Sequence, residues 1–556
     1  MIFPTPAPLE IRSVLLEKRD IPRYGVAEIR LDLRATYDNP FDSSEIAVDA
    51  VVKAPSGKVQ MIPGFFTRPY SRKLVAGKEE LTPTGPGEWR LRVAPSEIGA
   101  YTVTVSARDR TGSISAQPIR FRSMRSKEKG FVRLSPKDRR YFAHDNGQAY
   151  YPVGANVCWG GDRGSFDYDE WIPRYGTQGV NYGRLWLGPH WSTFALETNA
   201  AGFGRFDLGN AWRIDHTLDL ARKQGIYLML CLDSYNTLRD KDAYPQWEAT
   251  PLNQANGGPL AKPTEFWTDA RMAKVYRDRL RYVVARYGAN THVMAWEFWN
   301  EADLTRDFDP KPVAAWHDRM SSQLRDLDPY DHLQSTSFSN SLGFREIDDL
   351  PGLDFVQSHT YTANLVREAA SLGQMKGREK AYFIGEIGAD AGGPRAEDKA
   401  GLQVHDSLWA GIANGHSGTA MMWWWDNLIE PNGLYPLFKP AANFVRGIDW
   451  PSEGFRPAEI SLTYARESDA KGRGDLEFTE GPIGFGEAAY NRPQTLLLRD
   501  GKVTGGAPRR SASRTSQPPR TPQLDHVGPS VGPTDHASAA RWRRLRMGRR
   551  ESEGTP

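Results

Sequence analysis

The chain reads as an α/β protein: a (β/α)8 TIM barrel preceded by an all-β sandwich, with a short β-like region and a disordered basic tail after it. Three observations carry that reading. Short alternating apolar and polar runs, separated by turn clusters, fill the first part of the chain, the period-two pattern of half-buried strands. From about residue 151, strand-like runs alternate with helical periods, and eight such runs fall within about 300 residues, which fits a barrel better than a doubly wound sheet. Beyond residue 507 the composition shifts to Arg, Pro, Ser and Gly, which cannot build a core.

Residues 9–122 make the first module. Strands are expected at 26–33, 46–53, 88–93 and 101–108, with Pro55-Ser56-Gly57 and Pro83-Thr84-Gly85-Pro86-Gly87 as turns between them. That spacing fits an immunoglobulin-like sandwich, and the charged stretch 123–130 reads as a linker. The barrel is expected over 131–450, entered through a hairpin at Asp145-Asn146-Gly147. Its strands are expected at 151–156, 180–187, 226–232, 293–299, 333–338, 355–359, 382–387 and 419–425. Between them, Ile214, Leu218 and Ala221 mark a helical face stopped by Gly225, and Met272, Tyr276, Leu280, Val283 and Tyr287 mark another stopped by Gly288. Residues 455–503 read as a partial accessory β region, and 507–556 as the disordered Arg-rich tail.

Composition sets the class of chemistry. The 556 residues are 39% hydrophobic and 25% charged, with no apolar run near the ~18 residues a membrane span needs, so no membrane partner is expected. The opening MIFPTPAPLEIRS lacks a basic and then apolar export signal. The expected location is therefore cytoplasmic, or secreted or periplasmic if a start upstream supplies the signal. Cys158 and Cys231 each lie in an apolar run, as buried small side chains do, which excludes a disulfide framework. The net charge of +3 is unevenly placed: ten Arg, no Lys and four acids give residues 507–556 a net +6, leaving −3 elsewhere. Dense Pro, Ser and Gly without amphipathic period argue for disorder there and against nucleic-acid binding; the Arg-without-Lys bias also resembles out-of-frame translation of a GC-rich gene. Zinc and EF-hand spacings are missing, and Gly160-Gly161-Asp162-Arg163-Gly164 fits no phosphate-loop fingerprint. No metal or cofactor is expected.

The C-terminal ends of barrel strands form the active face, and here they are rich in carboxylates, amides and aromatics. They carry Asn156 and Trp159, Arg184 and Trp186, Asp233, Trp299-Asn300-Glu301, His359 and Tyr361, Glu386, and Trp423-Trp424-Trp425-Asp426. Cleaving a glycosidic bond with retention needs one protonated carboxyl for the leaving oxygen and one carboxylate to attack the anomeric carbon, ~5–5.5 Å apart. Glu301 and Glu386, ending the fourth and seventh strands, face each other across such a mouth. Their pKa values must be pushed apart: aromatic neighbours are expected to keep the proton on Glu301, and Arg184 to keep Glu386 ionised. Trp159 and Asp233 are further candidates for contact with substrate.

Ala295-Trp296-Glu297-Phe298-Trp299-Asn300-Glu301 resembles the fourth-strand Asn-Glu motif of clan A glycoside hydrolases, and Phe383-Ile384-Gly385-Glu386-Ile387-Gly388 resembles their seventh-strand nucleophile motif. Arg184 in Asn181-Tyr182-Gly183-Arg184-Leu185-Trp186 and the pair His359-Thr360-Tyr361 are similar to positions of glycoside hydrolase family 5, the cellulase and mannanase family. The resemblance spans roughly 131–450. It implies a retaining β-glycoside hydrolase acting on β-linked glucan or mannan-like polysaccharides or oligosaccharides, with Glu301 as acid/base and Glu386 as nucleophile. It further implies that Asn300 meets the sugar 2-hydroxyl, Tyr361 hydrogen-bonds the nucleophile, His359 lines the reaction subsite, and Trp425 or Trp424 stacks on a sugar ring. One departure stands out: many family members carry His at the end of the third strand, where this chain has Leu232-Asp233. Two other readings stay open, an exo-acting β-glycosidase of the same clan and a non-catalytic carbohydrate-binding protein.

Overall fold

The computed structural model describes residues 8–455, apart from 243, 377–379 and 396, together with a strand pair at Leu497–Arg499 and Lys502–Gly505. The expectations for the Arg-rich tail, and nearly all of those for 455–503, lie outside the described residues. The chain is mixed α/β, with β structure first and an alternating α/β part after it.

Two antiparallel arrays make the first part. One orders Glu10–Leu16, Ala27–Arg34, Glu88–Val93 and Phe65–Thr67; the other orders Ile119–Met124, Gly99–Asp109, Ala47–Lys53 and Val59–Pro63. Alternation decides their faces: along Gly99–Asp109, Tyr101, Val103, Val105 and Ala107 are buried while the residues between them are not. They meet Ile29, Leu31, Val48, Val52 and Leu91 in one core. A hairpin of Tyr70–Val75 and Lys78–Pro83 stands apart from both sheets.

The second part begins with a small three-stranded sheet, Val132–Leu134, Phe142–His144 and Ala149–Tyr150, turned at Gly147. Seven parallel core strands follow: β1 (Gly154–Asn156), β2 (Tyr182–Trp186), β3 (Tyr227–Ser234), β4 (Val293–Asn300), β5 (Leu333–Ser335), β6 (Phe355–Tyr361) and β7 (Ala381–Gly388). β1 to β5 pair in sequence order, and β6 pairs with β7. The two groups are linked on both sides. The Asp354 N–H donates to the Gln334 carbonyl at 2.8 Å, and Met422 bridges in parallel to Ala155 of β1 and to Ile387 of β7. The eighth expected strand is thus reduced to a bridge at one residue, and β5 ends at Ser335 rather than 338.

Helices alternate with the strands for legible reasons. α1 (Ser165–Thr177) follows β1. α2 (Leu208–Gln224) is capped by the Asp207 carboxylate and stops at Gly225, whose φ of 71° favours glycine. α3 (Ala270–Tyr287) is capped by Asp269 and ends before Gly288. Inside the ring of strands the lower layer is apolar, with Tyr182, Met229, Ala295, Phe355 and Phe383 closed from below by Phe142. Two residues further along β2 and β4 the interior turns polar at Arg184 and Glu297, the floor of the site.

Candidate active site

Arg184 sits at 0% exposure in the centre of this polar layer. Its guanidinium forks onto Glu297, Nε to Oε2 at 2.7 Å and Nη2 to Oε1 at 2.8 Å, and donates to Asn300 Oδ1 at 2.8 Å. Only a longer contact, 3.3 Å from Nη1, reaches Glu386. The partner expected from the sequence for Arg184, Glu386, thus gives way to Glu297. The fork geometry explains the difference, because two short parallel charge-assisted bonds to Glu297 hold the cation more strongly than the single 3.3 Å contact left for Glu386.

Glu386 owes its position to a local irregularity. Between Ser358 and His359 the β6–β7 register shifts, so that Gln357 faces Phe383 while His359 faces Glu386 and one residue of β7 is skipped. Gly385 tolerates this because a Cβ there would lie 2.1 Å from Gln357 Oε1. Such a bulge re-aims the next side chain. Glu301 leaves the end of β4 in the left-handed region, φ 50° and ψ 53°, a conformation costing about 1 kcal/mol for a non-glycine residue. Its N–H donates to Ser337 Oγ at 3.3 Å.

The two carboxylates converge on His359. Its Nδ1 lies 3.2 Å from Glu301 Oε1 and 3.2 Å from Glu386 Oε2, and one atom from each of the three residues falls within 4.8 Å of the others. Tyr361 donates its hydroxyl to the other Glu386 oxygen. Burial pushes Glu301 up to about 8, reinforced by Asp303. Burial also pushes Glu386 up, to about 7, against the pull of His359, Arg184 and the Tyr361 hydrogen bond. Arg184 pulls the nucleophile candidate down, but burial outweighs it and Glu386 stays above the usual carboxylate range. Burial lowers His359 to about 4 and keeps its ring neutral. A proton on Nδ1 leaves only an acceptor lone pair at the buried, unpartnered Nε2, whereas the other tautomer would strand an N–H. Three donors this close also match the reach of a divalent cation; the adjacent Arg184 charge and the Tyr361 hydrogen bond to Glu386 favour proton sharing instead.

The remaining candidates separate into two groups. Asn300 is buried at the floor, its carbonyl oxygen fixed by Arg184 and its amide donating to Ser234 Oγ at 3.3 Å. Trp424 packs beside Tyr361, ring centres 6.1 Å apart, and its buried indole N–H has no partner among the described residues. Trp159, partly exposed, joins an aromatic cluster with Trp186, Trp191, Trp423 and Trp425. Trp425 is 2% exposed and belongs to the packing of that cluster, which leaves Trp424 the better placed of the two against the carboxylates. Asp233 accepts two hydrogen bonds from Arg279 of α3, at 3.0 and 2.9 Å. Burial holds it up at about 6 despite Arg279. It ties β3 to the helix layer rather than meeting Glu301 and Glu386. Tyr235 and Arg239, stacked at 5.3 Å just beyond β3, escaped the sequence reading because loop residues carry no period; the Arg239 charge is felt at Glu301.

Comparison with known proteins adds a likeness to this geometry. Over 189 residues the chain is 25% identical to mannan endo-1,4-beta-mannosidase 7 of Arabidopsis thaliana, covering 29% of this chain and 42% of that protein. It is 24% identical over 257 residues to mannan endo-1,4-beta-mannosidase 5 of Solanum lycopersicum, 42% of this chain and 58% of that one. The chain spans about half the length of these curated relatives. In fold it is similar to a glycoside hydrolase candidate from Bacteroides vulgatus ATCC 8482, with a TM-score of 0.51 at 15% identity over 73% of this chain and 72% of the other. Residues 20–108 match the family model DUF5060, a domain of unknown function, which falls on the two antiparallel arrays. No described helix is long and apolar enough to cross a membrane.

Proposed function

We propose that the protein is a retaining β-glycoside hydrolase of (β/α)8 barrel architecture, with an immunoglobulin-like module before the barrel, acting on β-linked mannan or a related polysaccharide. The observation that carries the reading is the pair of buried glutamates from the ends of β4 and β7, with carboxylate atoms within 4.8 Å of each other. So close an approach of single oxygens supports the ~5–5.5 Å carboxyl spacing of retaining enzymes over the ~6.5–9.5 Å that leaves room for an inverting water. The mannosidase relatives support mannan as the substrate.

Glu301 has the higher pKa and donates its proton to the leaving oxygen. Glu386 has the lower one and attacks the anomeric carbon, forming a glycosyl-enzyme that water, deprotonated by Glu301, releases. Tyr361 and His359 orient the attacking carboxylate, Asn300 meets the sugar 2-hydroxyl, and Trp424 offers an apolar ring to a C–H face of the sugar. The test is the anomer first released from β-1,4-mannan or an aryl β-mannoside, followed by NMR. The β product is expected, and the α product would overturn the assignment of Glu386 as nucleophile.

A further inference from the structure

The N-terminal module reaches the active face. Its hairpin, Tyr70–Val75 and Lys78–Pro83, is turned by Ala76 and Gly77 at φ 49° and 81°. The hairpin meets the loop 157–164, which joins β1 to α1 and carries Trp159. The Glu79 N–H donates to the Asp162 carbonyl at 3.0 Å. The Glu79 carboxylate, 1% exposed, accepts from the Ser165 N–H at 3.1 Å, from the Ser165 hydroxyl, and from Arg213 Nε at 2.6 Å. It therefore occupies the N-terminal end of α1, where unpaired N–H groups favour an anion, with Arg213 balancing its charge. Arg72 donates to Ser165 Oγ at 2.9 Å and lies over the Phe166 ring at 3.9 Å. Gly164 leaves room for this docking, since a Cβ there would stand 2.1 Å from Glu79 Oε2.

The same loop is held from its other side. Gly160 N–H donates to Thr193 Oγ1 at 3.0 Å and Gly161 N–H to Asp167 at 2.8 Å. Trp159 is wedged between Trp186, Trp191, Trp423 and Trp425 at the ends of the strands. Loop 157–164 thus runs from the aromatic wall of the mouth to a carboxylate supplied by another module.

We propose that hairpin 70–83 belongs to the sugar-binding apparatus, with Glu79 as a positioning residue that fixes loop 157–164 and through it Trp159. This assigns a substrate-side role to the module matched only as a domain of unknown function, and it rests on the glycosidase reading above. Glu79 touches no substrate. Releasing it frees a wall of the mouth rather than the carboxylates, so binding of an extended chain suffers while the chemistry on a small substrate does not.

The full chain is compared with Glu79→Ala, Glu79→Gln and Trp159→Ala, with Arg12→Ala, at an exposed ion pair of the sandwich, as the control. Hydrogen exchange at Gly160 and Gly161 is expected to quicken at least about tenfold in Glu79→Ala. KM on β-1,4-mannan is expected to rise about fivefold, as in Trp159→Ala, with kcat on an aryl β-mannoside within about twofold of the parent. Glu79→Gln, which keeps acceptors for Ser165, falls between and stands in if Glu79→Ala does not fold; Arg12→Ala matches the parent. Unchanged exchange, or a parallel loss of kcat on both substrates, overturns the proposal. A parent protein that cleaves neither substrate overturns the glycosidase reading instead, and exchange still decides whether Glu79 braces the loop.

Discussion

Glu28, Arg92, Asp215 and Arg286 lie where the two N-terminal β arrays meet the α/β part; Glu301, His359 and Glu386 lie together at the strand ends. Both are ionisable clusters withdrawn from solvent, the junction in part and the mouth almost wholly, yet they are balanced differently. At the junction three guanidinium groups serve three carboxylates: Arg90 donates to Glu28 and to Glu88, Arg92 donates to Glu28 at 2.8 Å and to Asp215 at 2.6 Å, and Arg286 donates twice to Asp215, at 2.9 and 2.8 Å. Burial would raise Asp215, but Arg286 and Arg92 outweigh it and hold the carboxyl low; Glu28 is likewise lowered, burial being outweighed chiefly by Arg92. At the mouth Arg184 is forked onto Glu297, Arg239 acts on Glu301 only through its charge, and burial wins at both Glu301 and Glu386. A matched cluster holds the fold together, whereas an undermatched one stores protons at a pH where they can be exchanged with a substrate.

That contrast can be broken in order of effect. Glu386→Ala should lower kcat on mannan by at least about 10⁴-fold, more than 5 kcal/mol of barrier, with little change in stability; a variant that keeps a tenth of the activity would remove the nucleophile assignment. Asp215→Ala leaves Arg92 with Glu28 alone and takes from the almost fully buried Arg286 its only carboxylate partner among the described residues. It should cost about 3 kcal/mol of stability by denaturant unfolding, and a loss under 1 kcal/mol would mean the junction is not a working ion network.

Tyr361→Phe removes a hydrogen bond that favours ionised Glu386. It should lower kcat/KM about tenfold and move the acid limb of the pH–rate profile upward from about 7, toward the basic limb that Glu301 sets near 8. An unmoved acid limb would place that limb on another group.

The smallest effect concerns the sign of the pH dependence of stability. Native Glu301 holds its proton to about 8, while the unfolded chain sheds it near ~4.3. The native state thus binds more protons between these values, and stability falls as pH rises. Glu301→Gln should raise Tm by about 2–4 °C at pH 8.5 and by little at pH 5, whereas the Asp215 contribution runs the opposite way, present at neutral pH and lost on acidification. A gain for Glu301→Gln equal at both pH values would contradict the buried-proton account.

What the sequence disclosed follows from how local each determinant is. Residues 88–93 alternate strongly enough to be read as a strand, and Gly225 and Gly288 mark helix ends within one turn of the periodic face they terminate. The two glutamates stand out in the sequence because Glu301 follows the last residue of a strand and Glu386 lies two residues before the end of another. The Arg184–Glu297 fork was not: its members are 113 residues apart, and a Glu inside an apolar strand gives no hint of its partner. The bulge at Gly385 was equally silent, being a property of the pairing between β6 and β7. The last strand shrank to one bridge although Thr419 to Trp425 has a strand-like composition. After Met422 the aromatic run leaves the ring, with Trp423 and Trp425 in the Trp159 cluster and Trp424 turned to Tyr361. Nothing in the sequence singles out Glu79, whose partners Ser165 and Arg213 lie 86 and 134 residues further along the chain.

The left-handed backbone of Glu301 has a consequence for the history of such a chain. Glycine would occupy that position with about 1 kcal/mol less strain, and it would also remove a carboxyl whose ionisation burial opposes. Selection for robustness alone would therefore erase the acid before most other residues of the mouth. A relative with Gly or Asn at this turn and an intact Glu386 would be a protein that has drifted downhill from catalysis toward stability, and its thermal tolerance should exceed that of its active kin.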